Sequence, residues 1–355
     1  MQKNNRIQYI DALRGFTMLL VVYGHICTKL VAGIGESSTV TQIIALFRMP
    51  LFFFISGFFV YSVSYNWTLY KRRMYNRLRM QLFPTIIFWI LFCVCFAEVT
   101  IVESLADHFK SGYWFTFVAV ELFLLYSPMF LFFSTKNFGT KKRNIYLALY
   151  TAALLSIGFI GDRFLHWSST AAWGVLSLSD MFLYIPYFYL GIFFRMNSTQ
   201  VLNYLSNKYF VIACLILFVA SLALSMNFLV HILCAVAGIV IIHYVFWAIF
   251  RKKRVQDSKF SHFLEYVGTM TLEIYLLHYF IIEGLKRLPG LTFFGSLKNT
   301  ALEIPIYMLC SLGITSICLA IVYLMKRIGI YNFTFPKAKK ILPSPTSSIS
   351  STKKA

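Results

Sequence analysis

The sequence predicts an all-α fold, a polytopic membrane helical bundle of about ten transmembrane helices with both termini cytoplasmic. Three observations carry that prediction. Of its 355 residues, 59% are hydrophobic and 13% charged, and mean hydropathy is +0.69, whereas a soluble domain carries about a quarter charged residues. The apolar runs are long and continuous, unlike the roughly ten-residue alternating segments of a membrane β-barrel. Finally, the Lys and Arg residues cluster between apolar runs on alternate connections, the pattern of the positive-inside rule.

Windows of about 20 apolar residues place candidate spans near 9–30, 43–64, 82–102, 113–133, 145–161, 180–195, 209–226, 228–250, 264–284 and 301–325. Lys3 and Arg6 precede the first. Lys71, Arg72, Arg73, Arg77 and Arg79 follow the second; Lys136, Lys141, Lys142 and Arg143 follow the fourth. Arg195 and Lys208 follow the sixth, Arg251 to Arg254 the eighth, and Lys326 and Arg327 the tenth. The opposite connections are short or acidic, with Glu36, Glu103 and Asp107, and the pair Lys286 and Arg287 is the cluster that breaks the pattern. The net charge of +20 is therefore a topology signal, and no nucleic-acid partner is expected. The partner it does imply is the lipid bilayer.

The first run is too long and too charged for a cleaved signal peptide and is expected to be retained. The seven cysteines all lie in apolar runs with no C-x-x-C pair, so they read as small buried hydrophobes with no disulfide or metal site. Residues 1–335 form the membrane domain. Residues 336–355, which contain PSPTSSISSTKK, form a polar, low-complexity tail expected to be disordered and cytoplasmic. Glycosylation patterns at Asn66, Asn197 and Asn332 all fall on the side assigned to the cytoplasm and read as chance. There is no internal repeat and no Gly-rich phosphate loop.

Within the first run, YIDALRGFTMLLVVYGHICTKL, stand Asp11, Arg14 and His25. An ionisable residue at membrane depth costs about 2.5–3.5 kcal/mol on insertion scales and usually faces protein or a wet cavity. At about 100° and 1.5 Å per residue, Arg14 and His25 share a helix face roughly 16 Å apart, with Asp11 on the same side. Counting from span midpoints puts His25, Arg48 and Glu121 outward of the membrane middle, Glu273 near it, and His278 a turn further out. The expectation is one outward-facing cavity lined by these groups, with Asp11, Arg14 and the basic group Arg72–Arg79 at the cytoplasmic end. Plainer readings stand beside it. Arg48 and Glu121 also suit a packing ion pair, and His243 and His278 suit hydrogen-bonded core residues. The basic cluster also serves as a topology signal alone, and Gly57 and Pro50 permit close packing and a bend.

These segments resemble the acyltransferase-3 membrane family, which includes bacterial surface-polysaccharide O-acetylases. DALRGFTMLLVVYGH carries the family's Arg, ten residues, His motif as Arg14 and His25. FRMPLFFFISGFF resembles its second-helix segment, ending in Ser56-Gly57, and GYWFTFVAVELFLLY its Trp-containing fourth helix. Arg77-Leu-Arg79 before Pro84 resembles its arginine-bearing cytoplasmic loop, with a departure from strict R-x-x-R spacing. PYFYLGIFFR and GTMTLEIYLLH, with Tyr275 and His278, resemble later motifs. The likeness runs over roughly residues 6–330, and it implies a stand-alone version without the extracytoplasmic esterase-like domain some members carry.

The resemblance implies acyl transfer, most simply acetyl from cytoplasmic acetyl-CoA, to a hydroxyl of an extracytoplasmic polysaccharide or lipid-linked glycan at the bacterial cytoplasmic membrane. No bound cofactor or metal is expected; acyl-CoA is the donor substrate. The candidate catalytic residues are His25 as base or acyl relay, Arg48 as oxyanion stabiliser and Glu121 as the group orienting His25 or the sugar. Arg14, Arg72, Arg73, Arg77 and Arg79 are candidates for cradling the CoA phosphates, since guanidinium pairs bidentately with phosphate. The rival reading is a proton-coupled transporter or flippase for an anionic lipid or sugar using His25, Glu121 and Glu273; the lack of an internal repeat speaks against it.

Overall fold

The computed structural model describes residues 8–30, 38–62, 65–96, 99–136, 138–224, 227–287 and 295–336. Lys3, Arg6, Glu36 and residues 337–355 of the tail lie outside the described residues. Every regular element described is helical. Helix α1 (Gln8–His25) runs on through a π-helical turn at Ile26–Leu30. It is the most enclosed of the long apolar helices, packing against helices from residues 39 to 60, 228 to 250, 259 to 285 and 303 to 327. Helix α2 (Thr39–Val60) is capped by Ser38, whose side chain accepts from the Thr41 amide.

The basic cluster is helical, not a loop. Helix α3 (Trp67–Arg77) starts at Asn66, whose side chain accepts from the Leu69 amide, a standard N-cap. It continues through a π-helical segment, Leu78–Leu82, into α4 (Phe83–Phe96). The π turn explains why Pro84 does not end the helix. Proline has no N–H and crowds the carbonyl four residues back, and the wider turn, with the Phe83 amide donating to Leu78 O, absorbs that defect.

After α5 (Ile101–Ala106) come α6 (Trp114–Thr135) and α7 (Thr140–Leu165), followed by short α8 (Ala171–Val175) and α9 (Leu178–Met196). Then follow α10 (Ser198–Ser206), α11 (Lys208–Leu222), α12 (Phe228–Phe250), α13 (Lys253–Gln256), α14 (Lys259–Thr269), α15 (Thr271–Leu285), α16 (Glu303–Arg327) and α17 (Tyr331–Thr334). Among the described residues, seven helices are long and apolar enough to span a bilayer, and α10 with α11, bent by 83°, makes an eighth candidate. The other two predicted spans correspond to α9, with Asp180 and Arg195 near its ends, and to α14–α15, divided at Met270. The chain is a multi-pass membrane protein.

Helix pairs close on small residues, as membrane packing favours. A Cβ at Gly15 of α1 would strike Leu264 O of α14, and one at Gly57 of α2 would strike Phe188 O of α9. The cysteines are all free; Cys27, Cys93, Cys234 and Cys318 are buried, while Cys95 is exposed, so its reading as a buried residue is corrected. His243 is buried and bonded at 3.3 Å to Tyr9, the core histidine expected. Asn197 is likewise buried, in a paired amide contact with Asn144.

Candidate active site

Arg14, near the start of α1, lines a cavity of about 810 Å³, within the roughly 300–1,000 Å³ of small-ligand sites. Arg73 and Arg77 of α3 and Lys326 of α16 line it too. Each arginine is seated by its stem or its head: Arg77 donates to Gln81 Oε1 at 2.6 Å and lies 5.2 Å over Phe123. Arg73 donates to Val60 O at 3.1 Å and stands 5.2 Å over Tyr65, while Arg14 stands 6.0 Å over Phe59. Such seating holds the guanidinium planes beside the cavity.

The remaining two predicted cations do not line this space. Arg79 lies against Tyr75, 5.9 Å over its ring, and lines a separate exposed groove with Leu78, Phe83 and Phe333. Arg72 lines neither. The reason is helical phase: Arg73 and Arg77 are four apart on one face of a continuous helix, and Tyr75 and Arg79 are four apart on another.

Glu273 lines the same cavity, accepting from Tyr331 Oη at 2.6 Å. It is thus not part of the group around His25. A narrower cavity of about 140 Å³ adjoins the large one, sharing Arg14, Phe59, Arg77, Gln81 and Leu272 with it. It leads away past Ser56, Thr271 and Phe115 to Tyr275.

Beyond Tyr275 lies a pair of imidazoles. The His278 ring is 5.9 Å from Tyr275 and 5.3 Å from the ring of His25. His278 is fully buried, and its Nδ1 lies 3.1 Å from Ile274 O. A carbonyl only accepts, so Nδ1 carries the proton and Nε2 holds a lone pair. Nε2 is buried with no partner among the described residues. His25, partly exposed at the end of α1, shares a 3.1 Å hydrogen bond between its Nε2 and Tyr279 Oη.

Arg48 joins this group. Its guanidinium lies against Gly24, the residue before His25, its charge is felt at both His25 and Tyr279, and its buried Nη1 has no partner among the described residues. A guanidinium N–H without an acceptor near the His25 imidazole suits a developing negative charge. Glu121 is not in this group. Its charge interactions are with Lys110 and Asp180, so the right depth on α6 comes with the wrong helix face for His25.

Two groups escaped the sequence reading. Tyr279 touches His25 directly but follows His278 with no spacing signal of its own. Glu303 is fully buried at the start of α16, accepting from Tyr23 Oη at 3.3 Å, from Asn299 N at 2.7 Å and from Ser38 Oγ. Its position after a polar loop reads in sequence as a helix-start carboxylate only.

A helical membrane bundle holding a cationic, ligand-sized cavity and, further in, paired imidazoles with an arginine has the parts of an integral membrane group-transfer enzyme. The chain belongs to the acyltransferase-3 family: residues 7–325 match its acyltransferase domain. No curated protein and no solved structure gave a match.

Proposed function

We propose that the protein takes an acetyl or other short acyl group from cytoplasmic acyl-CoA and esterifies a hydroxyl of an extracytoplasmic glycan, polysaccharide or lipid-linked. The observation that supports this best is the cationic cavity with its smaller neighbour, which reaches Tyr275 beside His278. The wide, cationic cavity at Arg14, Arg73, Arg77 and Lys326 suits the phosphates of a nucleotide donor. The smaller cavity past Ser56 reaches Tyr275, whose ring lies 5.9 Å from that of His278.

The chemistry then needs little else. An unprotonated imidazole nitrogen takes the proton of the acceptor hydroxyl as its oxygen attacks the thioester carbon. Arg48 holds the oxyanion of the tetrahedral intermediate. The C–S bond breaks, and the departing thiolate receives the proton from the same imidazole. Lys and Arg clustering supports a cytoplasmic face for the donor cavity, and the resemblance to bacterial surface-polysaccharide O-acetylases suggests a bacterial cytoplasmic membrane.

Mass analysis of cell-surface glycan with and without the gene tests the proposal. Loss of O-acyl groups from chains still exported is the expected result. Loss of the chains themselves would overturn it in favour of a transporter or flippase.

A further inference from the structure

Tyr279 is the only residue among those described that hydrogen-bonds a His25 ring nitrogen, and the way it is held is unusual. Its neighbour is the turn Lys110–Gly112, where three successive residues have positive φ: 48°, 50° and 102°. For residues with side chains that region is sparsely populated and costs free energy unless the surroundings impose it. Here they do. The Lys110 ammonium, fully buried, donates to three carbonyls: Leu105 O at 3.1 Å, Asp107 O at 3.2 Å and Gly174 O at 2.9 Å.

The turn in turn grips α15. Tyr275 Oη donates to Gly112 O at 2.9 Å, and Tyr113 Oη donates to Leu276 O at 3.0 Å. The bare α-carbon of Gly112 faces the Tyr279 ring so closely that a methyl there would overlap the phenol. Tyr279 is 1% exposed, with the Tyr113 and Phe92 rings at 5.5 and 5.9 Å. Its hydroxyl oxygen is held 3.1 Å from His25 Nε2.

Resting on the acyl-transfer reading, we infer that Tyr279 is a positioning residue for His25, set in place by the left-handed turn Lys110–Gly112. Phenol and imidazole together fix the His25 ring plane and decide which ring nitrogen carries its proton. The turn belongs to the connection between α4 and α6, so a segment far from α1 in sequence governs the orientation of the α1 imidazole.

Tyr279→Phe keeps the ring and removes only the hydroxyl. In native membranes supplied with radiolabelled acetyl-CoA, we expect kcat to fall about tenfold, the size of a lost hydrogen bond at a reacting group, with KM for acetyl-CoA unchanged. The pH–rate profile should move as well, which a purely packing role would not produce. Tyr9→Phe, which removes the Tyr9–His243 bond elsewhere on α1, should leave rate and profile at parental values. Gly112→Ala, normalised to folded protein, should reproduce the kcat loss, and adding Tyr279→Phe to it should cost nothing further. A Tyr279→Phe enzyme with parental kcat and pH profile, alongside an active parent, overturns the positioning role alone. A parent that transfers no label to glycan overturns the acyl-transfer reading instead.

Discussion

The guanidinium of Arg48 rests on the α-carbon of Gly24, in the space a Cβ would fill. Two helices thereby bring a permanent cation to within one residue of His25. The arrangement depends on the absence of a side chain at position 24, and it separates a chemical role for Arg48 from a packing one.

Gly24→Ala should displace the guanidinium without displacing α2, because the clash is with the far end of a flexible side chain. If Arg48 stabilises the oxyanion, kcat should fall about ten- to hundredfold, the equivalent of a charge-assisted hydrogen bond of about 1.5–3 kcal/mol. The melting temperature in detergent should stay within a few degrees of the parent. Gly15→Ala provides the contrast, since its methyl would meet the backbone of α14 at Leu264; that variant should lose folded protein. Parental turnover in a folded Gly24→Ala enzyme would remove Arg48 from the mechanism.

The cations of α3 should divide by face. Arg77→Ala and Arg73→Ala should weaken acetyl-CoA binding about ten- to hundredfold by calorimetry, as expected for losing a bond to charge. Arg79→Ala, whose side chain lies on Tyr75 outside the cavity, should bind as the parent does. Equal effects at positions 77 and 79 would mean that the cluster acts through bulk charge rather than as a built site.

This division marks how far sequence alone reaches. The enclosed α1 with Arg14 at one end and His25 at the other is legible, because charge inside an apolar run is costly and helical phase follows from spacing. Which arginines serve the cavity is not legible until the stretch from Trp67 to Phe96 is known to be one helix, and Pro84 hides that. Depth is readable by counting, but azimuth between helices is not, so Glu121 was placed with His25 when it belongs with Lys110 and Asp180. Tyr279 was invisible for a different reason. Its proposed role depends on a left-handed turn at Lys110–Gly112, far back in the chain, and no periodicity encodes such a contact.

Sidedness is testable at Tyr75, which is 46% exposed on the basic helix. In a background free of native cysteines, including the exposed Cys95, Tyr75→Cys should resist a membrane-impermeant maleimide in intact cells with a permeable outer envelope. It should react once the inner membrane is opened. Labelling in intact cells would reverse the topology and move the donor cavity to the outside.

Glu303 should matter for stability. Glu303→Ala leaves the Tyr23 and Ser38 hydroxyls and the Asn299 amide without their acceptor, and each bond to a charged group is worth about 1.5–3 kcal/mol. The melting temperature should fall clearly, and Glu303→Gln, which retains one acceptor oxygen, should fall less. An unchanged melting temperature in the alanine variant would mean that the α16 start is not pinned to α1 and α2 through this carboxylate.

The two imidazoles should not be equivalent. His25 is at the partly exposed end of α1, bonded to Tyr279 and near Arg48. His278 is fully buried, with its Nδ1 proton committed to Ile274 and its Nε2 lone pair unpartnered. His25→Ala should therefore lower turnover by about 10²–10⁴-fold, the range for removing a general base, while acetyl-CoA binds as before through the distant arginines. His278→Ala should cost less, since it takes away a neighbour 5.3 Å from His25 rather than the proposed base itself. An emptied polar centre also lowers stability, so both variants must be compared at equal folded protein and equal acetyl-CoA affinity. If His278→Ala proves the more damaging under those conditions, the base is the buried imidazole. The hydroxyl proton would then leave by Nε2 of His278, and His25 would orient the acceptor.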